Sequence, residues 1–108
     1  MYQQPSIDAA LLKGADLEKA IAERPFPKVT KASITDKIAD VKFLQFDETT
    51  IICGITMKNG YGVRGESACV DPRNFDMEIG KGLAYEHAFN ELWHLEGYLL
   101  AEQMSTAV

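Results

Sequence analysis

Two cysteines, two histidines and one tryptophan in 108 residues leave little material for several kinds of chemistry. Cys53 and Cys69 are too few for a disulfide framework or a structural zinc site. In a reducing compartment they read as small buried hydrophobes. No apolar run approaches the ~20 residues of a membrane-crossing helix; the longest uncharged stretch is only Thr49 to Met57. The opening Met1-Tyr2-Gln3-Gln4-Pro5 carries neither a basic segment nor an apolar one. No secretion signal is therefore expected, and the chain should stay in the cytoplasm where it is made.

Basic charge is also scarce in the last third. Residues 71–108 hold seven acidic side chains (Asp71, Asp76, Glu78, Glu86, Glu91, Glu96, Glu102) against Arg73 and Lys81. Nine acidic and nine basic side chains cancel over residues 1–70, so the net charge of -5 sits on the C-terminal part. Such a surface repels a phosphate backbone and disfavours nucleic acid as a partner. It suits a basic partner or plain solvent. What is present is ordinary: 46% hydrophobic and 25% charged residues, the balance of one globular domain with a single core.

Period and punctuation divide the chain. Ser6 can cap a short helix to about Lys13, stopped by Gly14. A second helix, about Ala15 to Arg24, groups Leu17, Ala20 and Ile21 on one side. Pro25 and Pro27 impose an extended link, and Thr30 caps a third helix, about Lys31 to Asp40, with Ile34 and Ile38 inward. Val41 to Phe46 reads as a short strand covered on both faces, although the third helix could also run on through Val41.

Ile51 to Met57 follows as a β-branched strand, then Asn59-Gly60, the strongest turn signal here. A two-residue loop would set one strand's apolar face beside the other's charges. A three-residue loop, Lys58 to Gly60 with Gly60 left-handed, pairs Met57 with Tyr61, Ile55 with Val63 and Cys53 with Gly65. The second register is expected. It places Thr56, Arg64 and Glu66 on a polar face and keeps Cys53 roughly 13 Å from Cys69 along the strands.

Asp71-Pro72 predicts the entry of a long helix, with Asp76 and Glu78 suiting its positive end. It should run to about Leu92 and continue, or bend near His94, toward Gln103, with a weak point at Gly97 and a frayed Ser105 to Val108. Gly80, Ala84 and Ala88 form a ridge of small residues; Tyr85, Phe89 and Trp93 form an aromatic ridge beside it. Ile79, Leu83, Leu92, Leu95 and Leu99 supply the expected core stripe. The small ridge fits close packing on the hairpin within the chain or a contact between subunits. Apolar surface on several sides of so short a chain favours a neighbour that covers the aromatic ridge as well.

Catalytic signals are weak. Gly80-Lys81-Gly82 lacks the flanking glycines and following hydroxyl of a phosphate loop and lies inside a helix. Glu91-Leu92-Trp93-His94 has the spacing of one half of a carboxylate-bridged iron site, but such sites need two copies and two further glutamates. Cys69 and His87 have nothing beyond their presence to make them a nucleophile and base. Arg64 and Glu66 read as a surface ion pair, or with Tyr61 as the polar lining of a ligand site.

Two blocks carry a resemblance. The run Thr56-Met57-Lys58-Asn59-Gly60-Tyr61-Gly62-Val63-Arg64-Gly65-Glu66-Ser67-Ala68-Cys69-Val70-Asp71-Pro72, and then Leu92-Trp93-His94-Leu95-Glu96-Gly97-Tyr98-Leu99-Leu100, occur in order. They resemble the small phage proteins typified by gene product forty-nine of phage N-four and gene product sixty-six of phage Sf-six. The resemblance spans about Thr30 to Leu100 and implies a protein of tailed phages and prophages, encoded outside the virion structural genes. It attaches no reaction to any residue. The chain departs from it at His94, where many relatives carry proline, so a sharp helix break there loses support.

The expectation is a single α+β domain: N-terminal helices, a small antiparallel sheet of two or three strands, and a long C-terminal helix across it. Residues 1–29 form a helical extension, 30–104 the core and 105–108 a frayed tail. No catalytic residue, metal or cofactor is expected. The leading functional expectation is a non-enzymatic accessory protein that binds a host protein, as a homo-oligomer, through Gly80, Ala84, Tyr85, Ala88, Phe89 and Trp93. The alternative is a binder of a nucleotide-like defence signal lined by Tyr61, Arg64 and Glu66. An enzyme using Cys69 or His87 ranks third.

Overall fold

The computed structural model describes residues 11–106; the helix expected from Ser6 lies mostly outside them. Two short helices, α1 (Gly14–Ala22) and α2 (Lys31–Thr35), precede three strands, β1 (Ile38–Gln45), β2 (Thr50–Met57) and β3 (Gly62–Ala68). A 3-10 turn (Pro72–Asn74) leads into the long helix α3 (Met77–Thr106). The strands form an antiparallel meander in the order β1-β2-β3, crossed on one face by α3. This is the expected α+β architecture, with the third strand present.

The hairpin has the register that a three-residue loop demands. Ile55 pairs with Val63 and Cys53 with Gly65, and the Met57 amide donates to the Tyr61 carbonyl. Gly60 takes φ 91°, the left-handed conformation that closes this loop and that glycine alone adopts freely. Side chains then alternate. Ile51, Cys53, Ile55, Met57 and Val63 are buried beneath α3, while Thr56, Arg64 and Glu66 face solvent.

Three boundaries differ from the sequence expectation. The helix capped by Thr30 ends at Thr35, and the chain is already a strand at Ile38. Thr30 and Ser33 cap each other reciprocally, but Lys37 and Ile38 are claimed by β2: the Lys58 amide donates to the Lys37 carbonyl, and Ile38 pairs with Met57. Pairing across the sheet thus overrides helical period. Second, β1 is an edge strand open on much of its surface rather than covered on both faces. Phe43, Leu44 and Phe46 are all exposed.

Third, Asp71 caps only the 3-10 turn, accepting from the Arg73 amide. Phe75 then turns extended and packs against the core, and Asp76 caps α3 by accepting from the Ile79 amide. From there α3 runs unbroken for 30 residues, about 45 Å, passing Gly97 without a stop.

The core stripe of α3 is also corrected. Ala84, Ala88, Phe89 and Leu92 are buried, whereas Ile79, Leu83, Leu95 and Leu99 are exposed. Gly65 explains why. A Cβ on it would lie 2.1 Å from the Ala88 nitrogen and 2.7 Å from the Ala84 carbonyl oxygen. Backbone meets backbone at this crossing, so the helix must present its small ridge to the strand.

Candidate binding surface

Two kinds of surface converge on α3. The half nearer its start is fastened to the sheet. Ala84 and Ala88 sit over Gly65, and a Cβ on Gly80 would meet the Ile51 side chain at 2.9 Å. The Ser67 hydroxyl donates to the Gly80 carbonyl. The small ridge is thus covered by the hairpin of the same chain, the intramolecular alternative, and is closed to a neighbour. The aromatic ridge divides. Tyr85 is half-buried, Phe89 is buried and Trp93 is 37% exposed. Their rings follow one another at centroid distances of 5.7 and 5.9 Å, the second pair edge-on.

Burial next to Cys53 pushes the Tyr85 hydroxyl above its ordinary pKa, and burial alone does the same to the Cys53 thiol. Both are therefore neutral near neutral pH.

Beyond Leu92 no side chain of α3 is buried. Leu95, Tyr98, Leu99 and Met104 are exposed there, Tyr98 by 72%. A groove of about 470 Å³ separates this stretch from the hairpin tip. Met57, Leu92, Leu95 and Leu99 contribute apolar lining; Lys37, Lys58, Asn59, Tyr61 and Glu96 contribute polar groups. The Lys37 ammonium pairs with the Glu96 carboxylate at 2.5 Å and ties β1's approach to the helix. On the other side, Trp93 lines a second apolar groove with Leu17 and Ile21 of α1.

The expected ligand residues are not brought together. Tyr61 lines the large groove, whereas Arg64 and Glu66 line a hollow of about 260 Å³ with Ile52 and His87. His87 is engaged there: its Nδ1 accepts from the Glu66 amide at 2.9 Å and lies 3.2 Å from the Glu66 carbonyl oxygen. Cys69 donates its thiol to the Asp71 carbonyl. Neither has the other as its hydrogen-bond partner. Among the described residues no group of three or more His, Cys, Asp and Glu is placed to hold a metal. No helix of the described residues is long and apolar enough to cross a membrane.

Leu92, expected in the core stripe, is buried and lines the groove, whereas Gly65, which sets where α3 crosses the sheet, stood out little in the sequence. A glycine between Arg64 and Glu66 in an otherwise alternating strand was the available sign of a close backbone approach.

A meander crossed by one long helix, with open apolar grooves on its surface, defines a small α+β protein. The chain belongs to the Phage protein (N4 Gp49/phage Sf6 gene 66) family, which it matches over residues 16–104. That span takes in most of α1, the whole sheet and nearly all of α3. No curated protein and no solved structure matches it.

Proposed function

We propose that this chain is a non-enzymatic phage accessory protein that works by binding protein: it self-associates and engages a host protein in the bacterial cytoplasm. The observation that carries the reading is the bare second half of α3, where Trp93, Leu95, Tyr98, Leu99 and Met104 are all exposed. Isolated surface leucines are ordinary, but large apolar side chains exposed on two sides of one helical segment, Leu95 and Leu99 beside the groove and Trp93 beside α1, mark surface for contact. Exposed Glu91 and Glu102 flank them, while Glu96 is taken by Lys37, so a partner with basic charge around an apolar centre fits best.

Affinity purification from host lysate tests this, with the wild-type chain and Leu99→Glu as parallel baits. A host protein held at micromolar affinity by the wild type and lost on the variant is expected. No specific partner at that affinity contradicts the reading.

A second reading rests on the groove at the hairpin tip. Its 470 Å³ falls within the range of small-molecule sites, and Lys37, Lys58 and Tyr61 could meet an anionic, ring-bearing ligand. Sequestering a nucleotide-like defence signal would follow. Arg64 plays no part, since it lines the other hollow. Melting the protein against a nucleotide panel decides: ligand at a hundredfold excess over its dissociation constant adds ~2.7 kcal/mol, and no shift removes this reading.

A further inference from the structure

The two edges of the sheet are treated differently. At the β3 edge the outward amide of Glu66 is taken by His87, and α3 presses on Gly65 beside it. At the β1 edge nothing comparable is present among the described residues. The Phe46 amide donates to the Thr50 carbonyl, and alternation from that pair turns the amides and carbonyls of Val41, Phe43 and Gln45 away from β2. Among the described residues no other element hydrogen-bonds to them. Such an edge, eight residues long and flanked by exposed Phe43, Leu44 and Phe46, is a template for another strand.

From this we infer that β1 pairs antiparallel with β1 of a second copy, joining two three-stranded sheets into one of six. The inference rests on the self-association proposed above and names the surface that performs it. The charges on β1 select the register. Centred on Val41, a two-fold axis sets Asp40 opposite Lys42 of the second copy, and Lys42 opposite its Asp40. Both pairs fall at sites without mutual hydrogen bonds, where facing side chains lie closest. Sliding the axis to Lys42 sets two lysines against each other. Sliding it to Phe43 leaves Asp40 opposite Phe46 and Lys42 opposite Leu44, with no charge matched.

Opposite charges thus meet twice in one register and nowhere in its neighbours. A second copy satisfies this by symmetry, since the same short sequence supplies both signs. Within one chain Asp40 and Lys42 pair with each other at 3.8 Å on the open surface, a weak contact that the facing pairs of a second copy can replace. The contact leaves the groove and the second half of α3 uncovered for a different partner.

Charge reversal tests the register without touching the core. Sedimentation across a concentration series should give a species of about 24 kDa, twice the 12.0 kDa of one chain. Asp40→Lys and Lys42→Asp should each raise the dissociation constant about tenfold by placing like charges at both pairs. The double reversal should recover the wild-type value. Phe43→Pro, which removes an outward amide and no bond to β2, should weaken the dimer by at least about tenfold. A dimer indifferent to every one of these variants overturns the edge contact while self-association stands, and its dissolution by Leu99→Glu would assign the contact to α3. A 12.0 kDa species at every concentration overturns both.

Discussion

The two halves of α3 are one continuous helix with opposite relations to the rest of the chain. From Met77 to Leu92 it is held by contacts its own sheet supplies: Gly65 beneath Ala84 and Ala88, Ser67 on Gly80, and Lys81 lying 5.6 Å over the Phe43 ring. From Trp93 to Thr106 the side chains are no less apolar, yet none is buried. The difference is therefore one of available cover rather than of composition. Three strands of seven or eight residues span roughly 25 Å, and a helix of about 45 Å must overrun them. The overrun is the surface on which the proposed partner would dock.

Substitutions should separate the halves by the size of their effect. Gly65→Ala is expected to be the most damaging, lowering unfolding stability by about 4 kcal/mol in urea titration. Its new methyl would strike helix backbone, which cannot rotate away, so α3 must lift as a unit. Next, Leu92→Ala should cost about 3 kcal/mol by deleting a fully buried side chain, whereas Leu99→Ala should cost under about 1 kcal/mol to the monomer. Equal losses at the two positions would erase the distinction.

Smaller effects come from the thiols. Cys53 is buried and Cys69 half-exposed, so native alkylation should label Cys69 alone, with Cys53 reacting only after unfolding. Burial raises the pKa values of Cys53 and Tyr85 in the folded state. Their contribution is whole below the unfolded pKa values and is lost as pH climbs, because the unfolded chain ionises first. The urea midpoint should therefore fall from about pH 8.5 upward, and Cys53→Ala should flatten part of that fall. No change in midpoint between pH 7.5 and 9.5 would contradict the assignment.

How far these features could be read in the sequence depends on which interactions set them. The hairpin register was readable because Asn59-Gly60 and the alternation of Cys53, Ile55 and Met57 are local and agree with each other. The Thr30 cap was readable for the same reason. Where β1 begins was not: Lys37 and Ile38 have helical period, and contacts with Met57 and Lys58 across the sheet turn the chain out of the helix at Lys37 and into a strand at Ile38. The buried face of α3 was misjudged in a related way. Hydrophobicity points to Ile79, Leu83, Leu95 and Leu99, but the strand backbone at Gly65 admits only Ala84 and Ala88. A close backbone crossing selects for small residues, and periodicity weighs those least. The candidate ligand residues scattered for a third reason: Tyr61 and Arg64 lie on different sides of β3, one toward the tip groove and one toward His87.

The most direct measurement is the solution mass of the full chain at tens of micromolar, by sedimentation or light scattering. Exposed apolar side chains on β1 and on the second half of α3 predict a dimer of about 24 kDa or a larger assembly, twice or more the 12.0 kDa of one chain. A persistent 12.0 kDa monomer whose Tyr98 and Leu99 stay solvated would contradict it.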